Sequence, residues 1–411
     1  MTGQEISAAD RLLLEHLSFA PTSPHASARV VGLYVHIPFC ERKCSYCDFN
    51  SGVYGPETRE RYVFALLNDI LSSPLAGTRA KSAFFGGGTP SVMPAAALAR
   101  LMDALSETFH FDDDAEITVE CNPGTIASER MAGETTEAFL QLLRTAGINR
   151  LSFGVQSLDA GLLQTLGRIH SPEQAVESVH LAREAGFDNI NVDLMFALPG
   201  QTHAQWAETL DGALTLEPEH ISAYSLIVEP ETPFALWDQQ GRLPRCNEDD
   251  EAAMYETVIQ TLTSAGYEHY EVSAFARPGK RSVHNTIYWR NEEYLGFGVG
   301  AASYVDGERS TREGRLESYV QLAENGMDPT VSRERLDRRG RMGETMMMGL
   351  RILDGVNRGA FVERFGNDPC DEFAEEVATL SRQGLLEVTP GAIRLTYRGL
   401  FLGNEVWEAF I

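Results

Sequence analysis

Short runs of β-branched and aromatic residues alternate with longer amphipathic segments over the first half of the chain. Six runs predict β-strands, at residues 33–37, 82–85, 117–120, 150–153, 189–194 and 220–225. The segments between them place apolar residues three to four positions apart, which is typical of helices, at residues 59–71, 95–108, 136–146, 172–185 and 203–216. This alternation predicts an α/β fold, a parallel sheet bent into a partial (β/α)6 TIM-like barrel with functional groups at the carboxyl ends of its strands.

The regular alternation ends near Pro230, and this change predicts the domain organisation. Residues 1–29 are expected to form an N-terminal extension with one short amphipathic piece at residues 9–17. Residues 30–245 are expected to form the barrel core, and residues 246–316 an extension of it that includes a glycine-rich segment. Residues 317–411 are expected to form a small, mainly helical C-terminal domain with one β-hairpin.

Three cysteines, Cys40, Cys44 and Cys47, follow the first predicted strand within eight residues. A fully ligated [4Fe–4S] cluster needs four protein ligands, so three thiolates on a tight loop leave one iron open. The alternative is a structural zinc site with His36 as the fourth ligand. Because His36 lies inside an alternating strand, the iron–sulfur interpretation is favoured.

Charge and composition limit the partners and the compartment. The chain has 59 acidic against 34 Lys and Arg residues, a formal net charge of −25, which disfavours nucleic acid as a partner. No apolar run approaches the ~18 residues that cross a bilayer, and the N-terminus lacks the pattern of a signal peptide. We therefore expect a cytoplasmic protein without a transmembrane segment, whose clustered cysteines bind metal.

The cysteine spacing resembles the signature of the radical-SAM superfamily, Cys-x3-Cys-x2-Cys with an aromatic residue, here Tyr46, before the last cysteine. The resemblance implies that S-adenosylmethionine binds the open iron and is cleaved by an electron from the cluster, so an electron donor is expected. It also implies a role for Gly86-Gly-Gly-Thr-Pro90 after the second strand, in binding the amino group of S-adenosylmethionine. Glycines let a backbone approach a ligand that a Cβ would exclude.

Further motifs resemble the anaerobic coproporphyrinogen III dehydrogenase (HemN-like) family over roughly residues 30–405. They are Tyr-Val-His-Ile-Pro-Phe-Cys at 34–40, Glu-Cys-Asn-Pro at 120–123, Gly-Val-Gln-Ser at 154–157, Leu-Gly-Arg at 166–168 and Asp-Leu-Met-Phe-Ala-Leu-Pro-Gly-Gln-Thr at 193–202. The resemblance implies that S-adenosylmethionine is contacted by Tyr34, Tyr46, Gly87, Gly88, Thr89, Glu120, Gln156, Arg168 and Asp193.

The sequence departs from the decarboxylating members of that family after Cys47, where Asp48-Phe49 replaces the pattern with a fourth cysteine. In this it resembles the haem-chaperone (HemW-type) branch, and His284-Asn-Thr-Ile-Tyr-Trp289 matches that branch's His-Asn-x-x-Tyr-Trp motif. The resemblance implies that His284 ligates haem iron, that Tyr288 and Trp289 stack on the porphyrin, and that haem passes to an unidentified acceptor protein.

Three alternatives stay open at the level of sequence. His284 would serve equally as a histidine that caps a turn beside two core aromatics. The chain would also suit an oxygen-independent coproporphyrinogen III oxidase, which keeps the same cofactor residues, or a radical-SAM enzyme with another substrate. Whether the chain is an enzyme is therefore undecided, and no catalytic residue is assigned.

Overall fold

The computed structural model describes residues 29–127 and 134–411, and its main feature is a 12-stranded mixed sheet. Six parallel strands form the centre of this sheet: β1 (Val30–Ile37), β2 (Arg79–Gly87), β3 (His110–Cys121), β4 (Arg150–Gln156), β5 (Ile190–Phe196) and β6 (His220–Ser225). All six strand predictions fall on them. Because helices cover the outer face of the sheet, the strands are buried almost continuously.

The barrel is open. Strands β1 and β6 would pair in a closed barrel, but β1 pairs with β9 (Tyr294–Phe297) and β6 with β8 (Ala274–Ala276). The remaining strands are β7 (Glu268–Glu271), β10 (Ala302–Val305), β11 (Glu308–Arg312), β12 (Thr330–Arg335), β13 (Val356–Asn357), β14 (Leu386–Val388) and β15 (Ala392–Leu395). The predicted partial barrel of parallel strands is therefore confirmed.

Helices connect the parallel strands and continue to the C-terminus. Those of the first half are α1 (Pro56–Leu71), α2 (Ala95–Thr108), α3 (Pro123–Ile126), α4 (Thr136–Thr145), α5 (Ala160–Leu166), α6 (Pro172–Glu184) and α7 (His203–Thr215). Those of the second half are α8 (Pro233–Gln239), α9 (Glu248–Ser264), α10 (Val283–Trp289), α11 (Leu316–Glu324), α12 (Arg338–Gly349), α13 (Arg358–Phe365), α14 (Pro369–Glu372), α15 (Ala374–Arg382), α16 (Tyr397–Phe401) and α17 (Gly403–Glu408). No helix in the described residues is long and apolar enough to cross a membrane.

Local sequence explains where these helices begin. Ser171 and Gln174 form a reciprocal capping box at the start of α6, and Thr202 and Gln205 form another at the start of α7. Each box satisfies backbone N–H groups that have no partner within the first helical turn. The capping residues thus fix where α6 begins after α5 and where α7 begins after β5.

The C-terminal region has its own hydrophobic core, which runs from Met342 to Phe410 and packs α12, α15 and the three-stranded sheet β13-β15-β14 together. Helix α11 packs instead on α1, and β12 belongs to the large sheet. The domain boundaries predicted from the sequence, including the one at residue 317, stay predictions. The amphipathic piece expected at residues 9–17 lies outside the described residues.

A buried carboxylate joins helix α1 to the added strands of the sheet. Asp69 accepts hydrogen bonds from the Tyr319 hydroxyl (2.9 Å) and the Gly298 amide (3.2 Å), and its other oxygen lies 3.0 Å from an Arg312 nitrogen. An ionised group this deeply buried is tolerated only when it is paired and hydrogen-bonded. The network therefore fixes strands β9 to β11 against the barrel.

Candidate functional site

Cys40, Cys44 and Cys47 lie on a loop that leaves the carboxyl end of β1 and returns beside it. Two backbone hydrogen bonds close the loop, from the Cys40 amide to the Gly52 carbonyl (2.9 Å) and from the Gly52 amide to the Pro38 carbonyl (2.8 Å). All three cysteines line one cavity of about 470 Å³, which we call the mouth cavity. The loop thus presents three soft ligands to a single space.

This donor set fits an iron–sulfur cluster better than a single ion. No three His, Cys, Asp or Glu side chains in the described part of the chain converge on the position of one metal ion. A zinc ion holds thiolates at ~2.3 Å, which draws the sulfurs close together, whereas the thiolates of a [4Fe–4S] cluster bind separate iron atoms. His36, the fourth ligand of the zinc alternative, has both ring nitrogens hydrogen-bonded, to the Tyr34 hydroxyl (2.9 Å) and the Asn50 carbonyl (2.8 Å).

Hydrogen-bond donors face two of the thiols. The Thr89 hydroxyl lies 3.7 Å from the Cys40 sulfur, and an Arg168 nitrogen lies 3.6 Å from the Cys44 sulfur. Donors to thiolate sulfur tune the reduction potential of a cluster. Burial raises the pKa of the Cys47 thiol, so this group keeps its proton in the metal-free chain and would release it on metal binding.

The glycine segment packs against the cysteine loop more tightly than its sequence suggests. A Cβ on Gly88 would lie 2.8 Å from the Phe39 carbonyl oxygen, and one on Gly87, where φ is +113°, would lie 2.4 Å from the His36 ring. The amides of Gly88 and Thr89 donate to the carbonyls of Ile37 and Phe39, both at 2.8 Å. Gly87 and Gly88 are therefore required for close packing against β1, and Gly87, Gly88 and Thr89 still line the mouth cavity.

Two carboxylates at neighbouring strand ends give the cavity a negative wall. Glu120 at the end of β3 accepts the Gly87 amide (3.0 Å), and burial followed by the charge of Asp193 raises the pKa of Glu120 to about 7. Asp193 on β5 accepts hydrogen bonds from the Ser152 hydroxyl (3.1 Å) and the Tyr224 hydroxyl (2.8 Å). This wall suits a cationic ligand group such as an ammonium.

Two polar side chains of the cavity have buried atoms without partners in the described residues. They are Oε1 of Gln156 and Nε of Arg168. Gln156 also has a φ of +67°, which is uncommon for a residue with a side chain, and Arg168 donates to the Gly154 carbonyl at 2.5 Å. Buried polar atoms are rarely left unsatisfied, so these two atoms indicate a ligand that fills the cavity. An unpaired acceptor and an unpaired guanidinium donor fit a polar cofactor that carries both an amino group and a carboxylate.

The two predicted tyrosines have different surroundings. Tyr46 lines the mouth cavity and packs 6.4 Å from the Phe234 ring. Tyr34 does not line it, because its hydroxyl bonds to His36 and its ring stacks on Phe84. The structure thus brings the expected contact residues together at the mouth cavity except Tyr34.

Residues that the sequence did not single out also line the cavity. Tyr224 at the end of β6 holds Asp193, and Ser152 on β4 holds the same carboxylate from the other side. Ile227 is 68% exposed and Phe49 is 59% exposed, so both leave apolar surface at the rim. The position of Tyr224 at the carboxyl end of a predicted strand was the available signal for it.

The His-Asn-x-x-Tyr-Trp motif forms helix α10, away from the mouth cavity. His284 is 1% exposed, and its two ring nitrogens bond to the Ser82 hydroxyl (2.9 Å) and the Tyr288 hydroxyl (2.9 Å). Its ring stacks on Phe84 at 5.1 Å, and burial lowers the pKa of His284 to about 3. In this arrangement the imidazole is neutral and offers no free nitrogen to haem iron.

The other end of the motif faces the C-terminal region. Trp289 is partly buried, and the Arg351 guanidinium lies 5.2 Å from the centre of its ring. The same guanidinium lies 3.9 Å from the centre of the Trp407 ring on α17. Helix α10 therefore connects the barrel with the C-terminal region, and Tyr288 and Trp289 do not form an open face for a porphyrin in this conformation.

Comparison with known families agrees with this fold. The model of the Radical SAM superfamily matches residues 34–213, which span the cysteine loop and strands β1 to β5. The model of the HemN C-terminal domain matches residues 336–402. An open barrel with three cysteines after its first strand, matched by this superfamily model, defines a radical-SAM protein.

The chain belongs to the HemW family. Heme chaperone HemW of Bacillus subtilis (strain 168) is 39% identical over 383 residues, covering 92% of this chain and 98% of that protein. Heme chaperone HemW of Escherichia coli (strain K12) is 35% identical over 395 residues, covering 93% and 98%. Among solved structures, coproporphyrinogen III oxidase (HemN) from Escherichia coli superimposes with a TM-score of 0.78 at 27% identity, covering 97% of this chain and 93% of that one.

Proposed function

We propose that this chain is a haem chaperone that carries a [4Fe–4S] cluster, binds S-adenosylmethionine in the mouth cavity and passes haem to an acceptor protein. The observation that carries the proposal is the likeness to haem chaperones along almost their whole length. The protein would act in the cytoplasm, with an electron donor for the cluster and an acceptor for haem as partners.

In this proposal Cys40, Cys44 and Cys47 hold the cluster, and one iron stays open to S-adenosylmethionine. When bound, the cluster supplies an electron to the sulfonium of S-adenosylmethionine. The three thiols line one cavity, and the donors Thr89 and Arg168 face two of them, which supports this assignment.

We assign the polar wall of the mouth cavity to S-adenosylmethionine. Arg168 would pair with the carboxylate, since its Nε has no partner among the described residues, and Gln156 would accept from a ligand donor. Glu120 and Asp193 would accept from the amino group and the ribose hydroxyls. Gly87, Gly88 and Thr89 would form the floor, and Tyr46 would pack on the adenine, while Tyr34 would support the floor from behind.

The haem step needs a change at helix α10. We propose that His284 becomes an axial ligand when Tyr288 turns away and frees Nε2, and that Tyr288 and Trp289 then face the porphyrin. The support is chemical, since a neutral imidazole with one nitrogen held by Ser82 is the form that ligates iron. The buried state described above would then be the haem-free state.

The experiment is anaerobic reconstitution of the cluster, followed by a haem titration on the same sample. A Soret shift that saturates at one haem per chain is the expected result. No shift at micromolar haem would reject the chaperone function, whatever the state of the cluster. An anaerobic assay with coproporphyrinogen III separates the enzyme alternative, because formation of protoporphyrinogen would establish an oxidase instead.

Variants at the motif test the ligand separately. His284→Ala should abolish the Soret shift, whereas Tyr288→Phe should strengthen binding severalfold because it removes the hydrogen bond on Nε2. His180→Ala, at an exposed position of α6, is the matched control and should bind haem as the natural chain does. An unchanged spectrum in His284→Ala would reject this ligand and leave haem binding itself intact.

A further inference from the structure

A second cavity, separate from the mouth cavity, lies between the added strands of the sheet and the helices of the C-terminal region. Its volume is about 240 Å³, and we call it the arginine cavity. It is lined by Glu293, Tyr304, Gly307, Arg338, Arg341, Arg364 and Phe365. The wall is therefore almost entirely polar, and Phe365 is its one apolar side chain apart from the Tyr304 ring.

Two buried polar atoms at this cavity lack partners in the described residues. The Tyr304 side chain is 2% exposed, and its hydroxyl makes no hydrogen bond within the described ranges. The Nε of Arg341 is likewise buried and unbonded. A buried donor without an acceptor is destabilising, so an acceptor in the cavity would remove that penalty. Both atoms belong to donors, and this points to an acceptor-rich ligand.

The side chains at the arginine cavity also carry an excess of positive charge. Arg338, Arg341 and Arg364 form no ion pair with a carboxylate among the described residues, although the chain has 59 acidic residues. Arg364 donates instead to the Asn291 carbonyl at 2.8 Å, and Arg338 to the Phe365 carbonyl. The one carboxylate of the wall, Glu293, is already held by other groups.

Glu293 bonds to groups other than the three arginines of the cavity. One oxygen lies 2.9 Å from Arg29 Nε, and the other accepts the Asp306 amide at 2.8 Å. Arg29 also pairs with Asp306, so Arg29, Glu293 and Asp306 together carry one negative charge, and the three guanidinium groups of the cavity leave two positive charges. A dianion in the cavity would balance them.

We propose that the arginine cavity binds a phosphate dianion, either free or as the end of a larger molecule. A phosphate has the charge that the cavity lacks and enough acceptor oxygens for several guanidinium groups and the Tyr304 hydroxyl at once. A lone carboxylate would satisfy one guanidinium and leave the rest uncompensated. Arg338 and Arg341 also lie one helical turn apart at the start of the 12-residue helix α12, so both side chains reach the same cavity.

The turn between β10 and β11 leaves room for the Arg341 side chain. A Cβ on Gly307 would lie 2.9 Å from both Cδ and Nη1 of Arg341, and Gly307 has a φ of +74°. A glycine in this turn therefore lets the guanidinium lie against the β10–β11 hairpin. Because Arg364 comes from α13 and Tyr304 from β10, a bound phosphate would join the C-terminal region to the large sheet.

The test is calorimetric titration of the full chain with inorganic phosphate, ATP and succinate, at ionic strength matched with KCl. Phosphate or ATP should bind with a measurable Kd, and Arg341→Gln should weaken it at least tenfold. Tyr304→Phe, which removes only one oxygen, should weaken binding severalfold and fold normally. Arg333→Gln is the matched control, because Arg333 is exposed and paired with Glu308 and Asp328.

Each outcome decides the proposal. Tighter binding of ATP than of phosphate supports the site and identifies a larger phosphorylated molecule, and equal binding supports free phosphate. Absence of binding by both phosphate and ATP overturns the proposal. It is also overturned if Arg341→Gln and Tyr304→Phe bind as the natural chain does, or if succinate binds as tightly as phosphate. If Arg341→Gln does not fold, Arg341→Lys, which keeps the positive charge, replaces it in the titration.

Discussion

Glu120→Gln should stabilise the chain at high pH and weaken its binding of S-adenosylmethionine. The pKa of this carboxyl rises from its usual 4.5 to about 7 in the folded state. Between these pH values the folded chain binds more protons than the unfolded chain, so the free energy of unfolding falls as the pH rises. The contribution of the raised Glu120 pKa to the free energy of unfolding is complete below pH ~4.5 and lost above pH ~7.

The magnitude follows from the size of the shift. A change from 4.5 to about 7 corresponds to about 3 kcal/mol at ~1.4 kcal/mol per unit. Because Glu120 lines a cavity that water enters, we expect about half of this, ~1–2 kcal/mol. A glutamine keeps the acceptor for the Gly87 amide, so the substitution removes the charge and little else.

The assay is urea unfolding of the iron-free chain between pH 4 and 8.5, followed by tryptophan fluorescence, together with a binding titration of S-adenosylmethionine on the reconstituted protein. Glu120→Gln should equal the natural chain at pH 4, exceed it at pH 8, and bind S-adenosylmethionine about tenfold more weakly. Glu271→Gln is the matched control, since burial raises the pKa of Glu271 to about 7 as well, yet Glu271 does not line the mouth cavity. It should show the same change in stability with unaltered affinity.

A difference in stability between Glu120→Gln and the natural chain that does not change with pH would refute the reasoning, since it would mean that folding does not raise the pKa of this carboxyl. An affinity for S-adenosylmethionine that stays within twofold of the natural chain would refute the assigned contact. The two measurements are independent, so one half of the prediction can fail while the other holds.

Three further predictions concern the cluster, the cofactor and the fold. Cys44→Ser should lower the iron and sulfide content of the reconstituted protein to background, because two thiolates do not hold the cluster. Arg168→Met should raise the Kd for S-adenosylmethionine about 10- to 100-fold by titration, from the loss of a charge-assisted pair worth ~1.5–3 kcal/mol. Asp69→Ala should lower the free energy of unfolding by about 3 kcal/mol in urea, because Arg312 and the Tyr319 hydroxyl lose their partner.

The sequence was sufficient to predict the barrel and the edge of the sheet at which its site lies. Strands of a parallel sheet are buried on both faces and separated by amphipathic helices, so their pattern is strong. Because parallel strands end at one edge, Glu120, Gln156 and Asp193 were expected to meet, and all three line the mouth cavity. The closely spaced cysteines needed no long-range contact to be recognised.

Side-chain direction was harder to predict than position. Tyr34 alternates on β1 like a cavity residue, yet it turns toward Phe84 and His36 because partners across the β1–β2 pair are available there. The glycine segment suggested contact with a ligand, but the Cβ distances at Gly88 show that the cysteine loop already occupies that space. Both differences depend on contacts between distant segments, which local pattern does not report.

The arginine cavity also has no local signature. Arg338 and Arg341 lie one helical turn apart, but Tyr304 and Arg364 reach the same space from β10 and α13. Single arginines in an acidic chain predict surface ion pairs, and most of them do form such pairs here. Only the assembled fold brings three of the remaining arginines together at one cavity.

The buried state of His284 sets a condition on any haem function of its motif. Glu116 accepts the amides of Val283 (3.1 Å) and His284 (3.0 Å), so the start of helix α10 is tied to β3. Ligation of iron by Nε2 would break the hydrogen bond with Tyr288, at a cost of about 1 kcal/mol. The hydrogen bond of Ser82 is made to the other ring nitrogen, Nδ1, so it can persist. The His284 imidazole therefore either keeps its hydrogen bond with Tyr288 or ligates haem iron. Haem should select the state in which Tyr288 is displaced.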